Sequence, residues 1–353
     1  MKIGKLDLTD KLILAPMAEI TDKPMRRICR DYGAGLTFTQ MVSAAGVINN
    51  NITTLRFLVF NKIEKPIAVQ ILANNPSIVA EAVSQICDYK PDLIDLNAGC
   101  PAEQVCKVNM GSKLLDDPSR LGKLVKAMKD NAGNIPVSVK MRLGSTPKRI
   151  NILENARICE DNGASVITVH GRTKADSYET EPDYSWYEKL RQSVSIPIIG
   201  NGSMFEPVEI RKMIKSGLID SAMIARGAFG NPFLFSRYNS LVNTDKDPGS
   251  PTPEECVSAA LRHLDYMLEE YGEEKIAGKS QKHLIWYFRK LPGITSFIQN
   301  ISLLKNSESI KSYIQDHLTN IMNGIYPQEN FVEIDKQFNN KALFWLENTK
   351  ADA

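Results

Sequence analysis

From residue 12 onward, short apolar runs alternate with longer segments in which apolar residues recur every three or four positions. The runs LILAPM (12–17), LTFTQMV (36–42), PIAVQIL (66–72), LIDLNAG (93–99), PVSVKMRL (136–143), SVITVHG (165–171), IPIIGNG (196–202) and SAMIARG (221–227) predict eight strands buried on both faces. Segments 76–89, 119–131, 151–163 and 207–217 predict helices between them, with Pro76 and Pro207 in the first turn and Gly163 and Gly217 at the ends. Eight strand–helix units in about 230 residues fit a (β/α)8 TIM barrel. An open doubly wound sheet is the alternative, but it usually begins with a glycine-rich turn, which Ala15-Pro16-Met17 lacks.

The strand ends are polar where the strands are not. Met17, Gln70, Asn97, Lys140, Arg142, His170, Asn201 and Arg226 stand at or near them. In a barrel these ends share one face, where active sites are built. Taken singly, each residue also reads as a satisfied polar group or a turn former. A buried Lys140 close to a buried His170 calls for an anionic or polar partner. Gly200-Asn201-Gly202-Ser203 and Ala225-Arg226-Gly227 follow strands seven and eight, the usual place for phosphate in this fold. Glycines there admit backbone N–H groups and arginine holds phosphate by paired hydrogen bonds, although the same glycines could simply make tight turns.

Composition narrows the setting. The 353 residues carry 43 Lys+Arg against 41 Asp+Glu, a net charge of +2, so any nucleic-acid surface must be a local patch. No apolar run approaches the ~20 residues of a membrane span. The start, MKIGKLDLTDKLILAPMAE, is too interrupted by charge for a signal peptide, so a cytoplasmic protein with reduced thiols is expected. The six cysteines (29, 87, 100, 106, 159, 256) form no CxxC pair, and no metal site is expected. Cys100 sits between Gly99 and Pro101 at the end of strand four. It reads either as a structural thiol or as a reactive one.

The organisation expected is a barrel over 1–240, a linker over 241–253 rich in Asp, Pro, Ser and Thr, a helical bundle over 254–325, and a tail of unassigned role over 326–353 that includes LFWLEN (343–348). Helices are read at 254–272, 279–293 and 307–322. Lys282, Trp286 and Arg289 fall at i, i+4, i+7, opposite an apolar face of Leu284, Tyr287, Phe288 and Leu291. An exposed aromatic among cations suits RNA, and a plain solvated face with Trp286 partly buried is the alternative. Lys107, Arg142, Arg172 and Thr173 near the mouth are further candidates for RNA contact.

APMAEITDKPMRRICRDYGAG, VQILANN, DLNAGCPAEQV, VKMRLG, VHGRT, IIGNGSM and MIARGAFGNPFLF together resemble the tRNA-dihydrouridine synthase family, closest to its bacterial B-type branch, over roughly residues 3–325. The resemblance implies FMN in the barrel mouth and reduction of the C5=C6 bond of uridines in tRNA, with NADPH or NADH as reductant; a monomer is expected, although the sequence leaves the oligomeric state open. Carried onto this chain, Pro16, Met17 and Ala18 would line the flavin and Gln70 and Lys140 would meet its polar edge. Asn201, Gly202, Ser203, Ala225 and Arg226 would hold its phosphate, with His170 close by. Asn97 would face the RNA, and Cys100 matches the catalytic cysteine that protonates C5. Three positions depart from the family pattern: Cys106, where asparagine is frequent; Ala225, where glycine is common; and Ser203, where the B-type branch often has aspartate. Two rival functions stay open, a flavin barrel acting on a free pyrimidine and a non-catalytic RNA-binding protein on the same scaffold.

Overall fold

The computed structural model describes residues 1–326 and Glu329. A hairpin, Lys2–Ile3 against Leu6–Asp7, precedes the barrel. The eight barrel strands are β1 (Ile13–Leu14), β2 (Thr37–Phe38), β3 (Ile67–Leu72), β4 (Leu93–Ala98), β5 (Val137–Arg142), β6 (Val166–His170), β7 (Ile198–Asn201) and β8 (Ser221–Ile224). All pair in parallel, in the spatial order β1-β8-β7-β6-β5-β4-β3-β2. A bridge between Ile13 and Leu36 closes the ring. Helices α1 (Lys23–Asp31), α2 (Pro76–Cys87), α3 (Pro118–Asn131), α4 (Ile152–Asp161), α5 (Ser185–Ser193), α6 (Pro207–Lys215) and α7 (Phe233–Thr244) surround it, with short helices Ala44–Ile48 and Ile52–Leu55 after β2.

The strand period of two sorts the side chains. Ile94, Leu96, Val139, Met141, Ile167 and Val169 face outward and join the helices in the main core. Leu93, Val166, Ile199 and Met223 face inward and, with Ile3 and Leu8 of the hairpin, fill the base of the barrel. The inward positions nearer the C-terminal ends are polar instead. Strand register sets them side by side: Gln70 opposite Asp95, Asp95 opposite Ser138, Asn97 opposite Lys140, Arg142 opposite His170, His170 opposite Asn201.

Four expectations change. The run 36–42 is not one strand: Thr37–Phe38 pairs with the start of β3 and a separate strand, Val42–Ser43, with its end. Between them Thr39 accepts the Gln70 N–H and Gln40 accepts the Glu19 N–H, so the backbone turns to serve the mouth. The run 12–17 is strand only at Ile13–Leu14, because Met17 N–H bonds Thr21 Oγ1 in a turn. The linker expected at 241–253 begins later, since α7 continues to Thr244, and Arg237 clamps it through Asp247. The helix expected at 279–293 runs instead from Glu273 to Phe288.

Beyond the barrel, α8 (Pro253–Tyr271), α9 (Glu273–Phe288), α10 (Ile294–Ile301) and α11 (Ser307–Met322) enclose a second core that includes Leu264, Met267, Phe288, Phe297 and Ile314. Helix α8 starts with a capping box between Thr252 and Glu255 and packs along α1. The joint carries Tyr266 on Asp31 (2.6 Å), Tyr271 on Asp22 (2.7 Å) and Lys23 on Glu270 (3.3 Å). A buried ion pair, Arg26–Glu64, ties α1 to the segment before β3, and Arg26 also donates to Thr21 O at 2.8 Å. Segment 343–348 lies outside the described residues. Among the described residues, no helix is long and apolar enough to cross a membrane.

The chain has four histidines, His170, His263, His283 and His317, and all are buried. Burial lowers the pKa of each, to about 3 for His263 and about 4 for His317. Below the ordinary histidine value of about 6.5 the unfolded chain binds protons that the fold refuses. Stability held above that pH is therefore lost as pH falls. Asp95, whose pKa burial raises to about 6, and Asp22, which burial also raises, work in the opposite sense, but they are two groups against four. The urea midpoint should be lower at pH 5.0 than at pH 7.5. An equal or higher midpoint at pH 5.0 would contradict this reading.

Candidate active site

The C-terminal ends of the strands surround a cavity of about 580 Å³. Every residue expected at the cofactor lines it: Pro16, Met17, Ala18, Gln70, Lys140, His170, Asn201, Gly202, Ser203, Ala225 and Arg226. Cys100, Asn97, Arg142 and Arg172 line it too.

A hydrogen-bonded chain begins at Asp95, fully buried in β4. Ser138 Oγ donates to one carboxylate oxygen at 2.5 Å and Gln70 Nε2 to the other at 2.7 Å. Asn97 Nδ2 donates to Gln70 Oε1 at 2.8 Å. Asn97 Oδ1 then accepts the backbone N–H of Gly99 (3.1 Å) and of Cys100 (2.9 Å). The amide of Asn97 thus has a fixed orientation, and its oxygen sets the turn that presents Cys100. The Cys100 carbonyl accepts the Ser112 N–H at 2.9 Å, and Cys106 Sγ lies 3.6 Å from the same oxygen. Burial pushes the Cys100 thiol above its ordinary value, outweighing the Ala102 N–H and the cations Arg142 and Lys140. The thiol is protonated at neutral pH.

Lys140 Nζ donates to Asn201 Oδ1 at 3.0 Å, and Asn201 Nδ2 donates to Met223 O at 2.8 Å. Burial, then Arg142, brings Lys140 down to about 8, partly countered by Asp95. Arg142 bridges two loops, donating to Gly99 O (3.0 Å) and Thr173 O (2.7 Å). Arg172 donates to Tyr178 O (3.2 Å), to Thr180 O and to Ser203 Oγ (2.8 Å), and faces His170 Nε2 at 3.1 Å. An arginine only donates, so His170 Nε2 is bare and its proton is on Nδ1. Burial, then Arg142, Lys140, Arg172 and Arg226, holds this imidazole neutral. Among the described residues, none of Lys140, Arg142, Arg172 and Arg226 forms an ion pair with a carboxylate.

That cationic lining fits an anionic ligand. Gly202 strengthens the fit: its φ is +113°, and a Cβ there would stand 2.8 Å from the His170 ring, so only glycine makes this part of the wall. The turns Asn201–Ser203 and Ala225–Arg226 line the same cavity, and Pro16–Ala18, Gln70 and Lys140 form further parts of its wall. Ser203 binds Arg172, which gives the departure from aspartate a structural use. Among the described residues no cluster of His, Cys, Asp or Glu could hold a metal ion.

Sequence reasoning misses two participants. Asp95 is one; it shares the inward face with Asn97, two residues on, and that spacing is the signal that could reveal it. Tyr178 is the other. It lines the cavity from the loop after β6, with Arg226 over its ring at 4.8 Å and Arg142 at 5.9 Å. Its loop has no periodicity to read.

The expected RNA contacts are placed less uniformly. Trp286 is a correction: it is 3% exposed and stacked on Phe229, because the barrel covers the helix face that an isolated helix would show to water. Lys282 is likewise turned inward, its Nζ donating to Glu19 O. Arg142, Arg172 and Thr173 are buried in the walls of the mouth and its flanking loop. Arg289 caps α9 and is half-buried. Lys107 is exposed and pairs with Glu103 at 2.8 Å.

The fold is shared with much more distant proteins. An old yellow enzyme homologue from Zymomonas mobilis aligns with a TM-score of 0.52 at 11% identity, over 72% of this chain and 96% of that one. Histamine dehydrogenase from Rhizobium sp. 4-9 aligns with a TM-score of 0.55 at 13% identity, over 75% and 50%. Sequence relatives are nearer. tRNA-dihydrouridine synthase B of Pseudomonas aeruginosa is 34% identical over 310 residues, 88% of this chain and 93% of the relative. That of Pasteurella multocida is 36% identical over 293 residues, 82% and 87%. The family model described as Dihydrouridine synthase (Dus) matches residues 13–322, and this chain belongs to that family.

Proposed function

We propose that this chain binds FMN in the barrel mouth and, with NADPH or NADH as reductant, reduces the C5=C6 bond of uridines in tRNA. The observation that carries the reading is the placement of the Cys100 thiol, held by Asn97 at the end of β4, across the barrel from the cationic turns after β7 and β8. The relatives named tRNA-dihydrouridine synthase B support the substrate class.

Asn201, Gly202, Ser203, Ala225 and Arg226 would hold the FMN phosphate, with His170 neutral beside them; Pro16, Met17 and Ala18 would line the ring. FMN bound there in its reduced form would supply the hydride that uracil accepts at C6. Negative charge then develops at C5 and O4, and C5 needs a proton. Cys100 holds one at neutral pH, and its thiolate regains one from solvent after the transfer. A positioned acid of this kind contributes ~10²–10⁴-fold. Lys140 is still mostly protonated at pH 7, its pKa being about 8, and stabilises anionic charge at the polar edge of the ring. Arg142 and Arg172, pointing into the cavity rather than at the surface, fix the loops on either side of the bound base.

We assign the chemistry to the barrel and RNA docking to the rim of the mouth and the helical region 254–325. Exposed Lys107, Lys275 and Lys305 meet the phosphate backbone there.

Three outcomes follow. Cys100→Ala should keep FMN and tRNA binding while single-turnover reduction of tRNA falls ~10²–10⁴-fold, whereas Cys106→Ala stays within a few-fold of wild type; equal rates for Cys100→Ala and wild type would remove the acid role. Asn97→Ala frees the Cys100 turn and should slow reduction on the order of tenfold or more without loss of FMN, as misplacement of a reacting group does. The double variant Lys107→Glu, Lys305→Glu should weaken tRNA binding at low salt and flatten its salt dependence by roughly 0.7–0.9 in log–log slope for each phosphate no longer neutralised. An unchanged slope would take both lysines off the RNA surface.

A further inference from the structure

Trp286 does not touch the cavity, yet it is built into the back of its wall. Its indole stacks on Phe229 with ring centroids 4.2 Å apart and planes 12° apart. Phe229, Ile20 and Trp286 form a closed apolar cluster against which Met17 packs. Three of those four residues, Met17, Ile20 and Phe229, line the cavity. The fourth belongs to α9, outside the barrel.

Two loops meet α9 at this point. One is the turn after β8: residues Arg226–Ala228 form a single helical turn that ends on Phe229. The next residue, Gly230, has φ +57°, and a Cβ on it would lie 2.2 Å from the Trp286 carbonyl carbon and 2.3 Å from the Tyr287 nitrogen. The backbone of the turn bearing Arg226 therefore rests directly on the backbone of α9, and no residue but glycine permits it. The other loop follows β1. Lys282, one helical turn before Trp286, donates to Glu19 O; Glu19 itself has φ +59° and is tied to Gln40 at 2.7 Å. Behind the indole, the His283 ring meets it edge-on at 5.3 Å, which leaves the Trp286 ring no room to retreat.

We propose that Trp286 is a positioning residue for the flavin cavity: the helical region, through Trp286 and the Gly230 contact, sets the wall made by Met17, Ile20 and Phe229 and the angle at which the next turn offers Arg226. This rests on the reading of the cavity as the FMN site. It gives the helical region a second duty beside RNA docking, and it explains why an aromatic on the cationic face of α9 is buried.

The test is FMN binding by the full-length protein, stripped of flavin and titrated by quenching of flavin fluorescence. Trp286→Ala should weaken FMN binding by roughly 3- to 10-fold, the span that removal of one stacked aromatic pair allows. Trp286→Phe, which keeps the stack, should restore it to near the wild-type value. Gly230→Ala forces the two backbones apart without changing any cavity side chain, and should weaken FMN binding in the same direction; it decides the matter if Trp286→Ala fails to fold. Lys126→Ala, on the exposed face of α3, should leave FMN binding unchanged. Wild-type affinity in Gly230→Ala, or in folded Trp286→Ala, would overturn the proposal. A wild-type protein that takes up no flavin would instead overturn the reading of the cavity, and this proposal with it.

Discussion

A carboxylate with no access to water organises the mouth of this barrel. Asp95 lies inside β4, and burying its charge is costly unless its oxygens are satisfied. Ser138 and Gln70 satisfy them from the two neighbouring strands. Once Gln70 is committed to Asp95, its carbonyl can only face Asn97, and Asn97 can only turn its own oxygen toward the Gly99–Cys100 turn. The orientation of the Cys100 loop is thus inherited from a buried ion three side chains away. Parallel register makes this workable, because it stacks inward positions of adjacent strands at one height.

The cationic half of the site follows a different rule. Lys140, Arg142 and Arg172 are gathered with neutral partners, backbone carbonyls and an asparagine amide, instead of carboxylates, and Arg226 lies over the Tyr178 and Phe205 rings. Their positive field therefore remains available to an anionic ligand. The same field, together with burial, keeps His170 neutral. The thiol resists it: burial dominates, and Cys100 keeps its proton. One pocket thus combines a positive field with a thiol that keeps its proton.

Much of this is legible in the sequence because a two-residue period leaves few choices. Strands buried on both faces announce themselves as apolar runs, and a polar residue near the end of one is conspicuous; Lys140, His170 and Asn201 stand out that way. Asp95 escapes because attention to strand ends passes over the middle of a strand, although Asp95 and Asn97 share a face. Trp286 escapes for a deeper reason. Helical periodicity assigns residues to a face but does not say what covers that face, and here the barrel covers it. Tyr178 sits in a loop positioned by Arg172, whose bonds to Tyr178 O and Thr180 O are long-side-chain contacts with no local sequence signature. The breaks in the 12–17 and 36–42 runs arise from Thr21, Thr39 and Gln40 bonding backbone groups, which propensity does not register.

The measurement that bears most directly on the proposed reaction is the mass-spectrometric mapping of dihydrouridine in bulk tRNA isolated without the modification and incubated with this protein, FMN and NADPH. A gain of two hydrogens at defined uridines, dependent on the reductant, is the expected result. Consumption of NADPH with tRNA unchanged, alongside reduction of a free pyrimidine, would contradict it and move the activity to a small-molecule substrate.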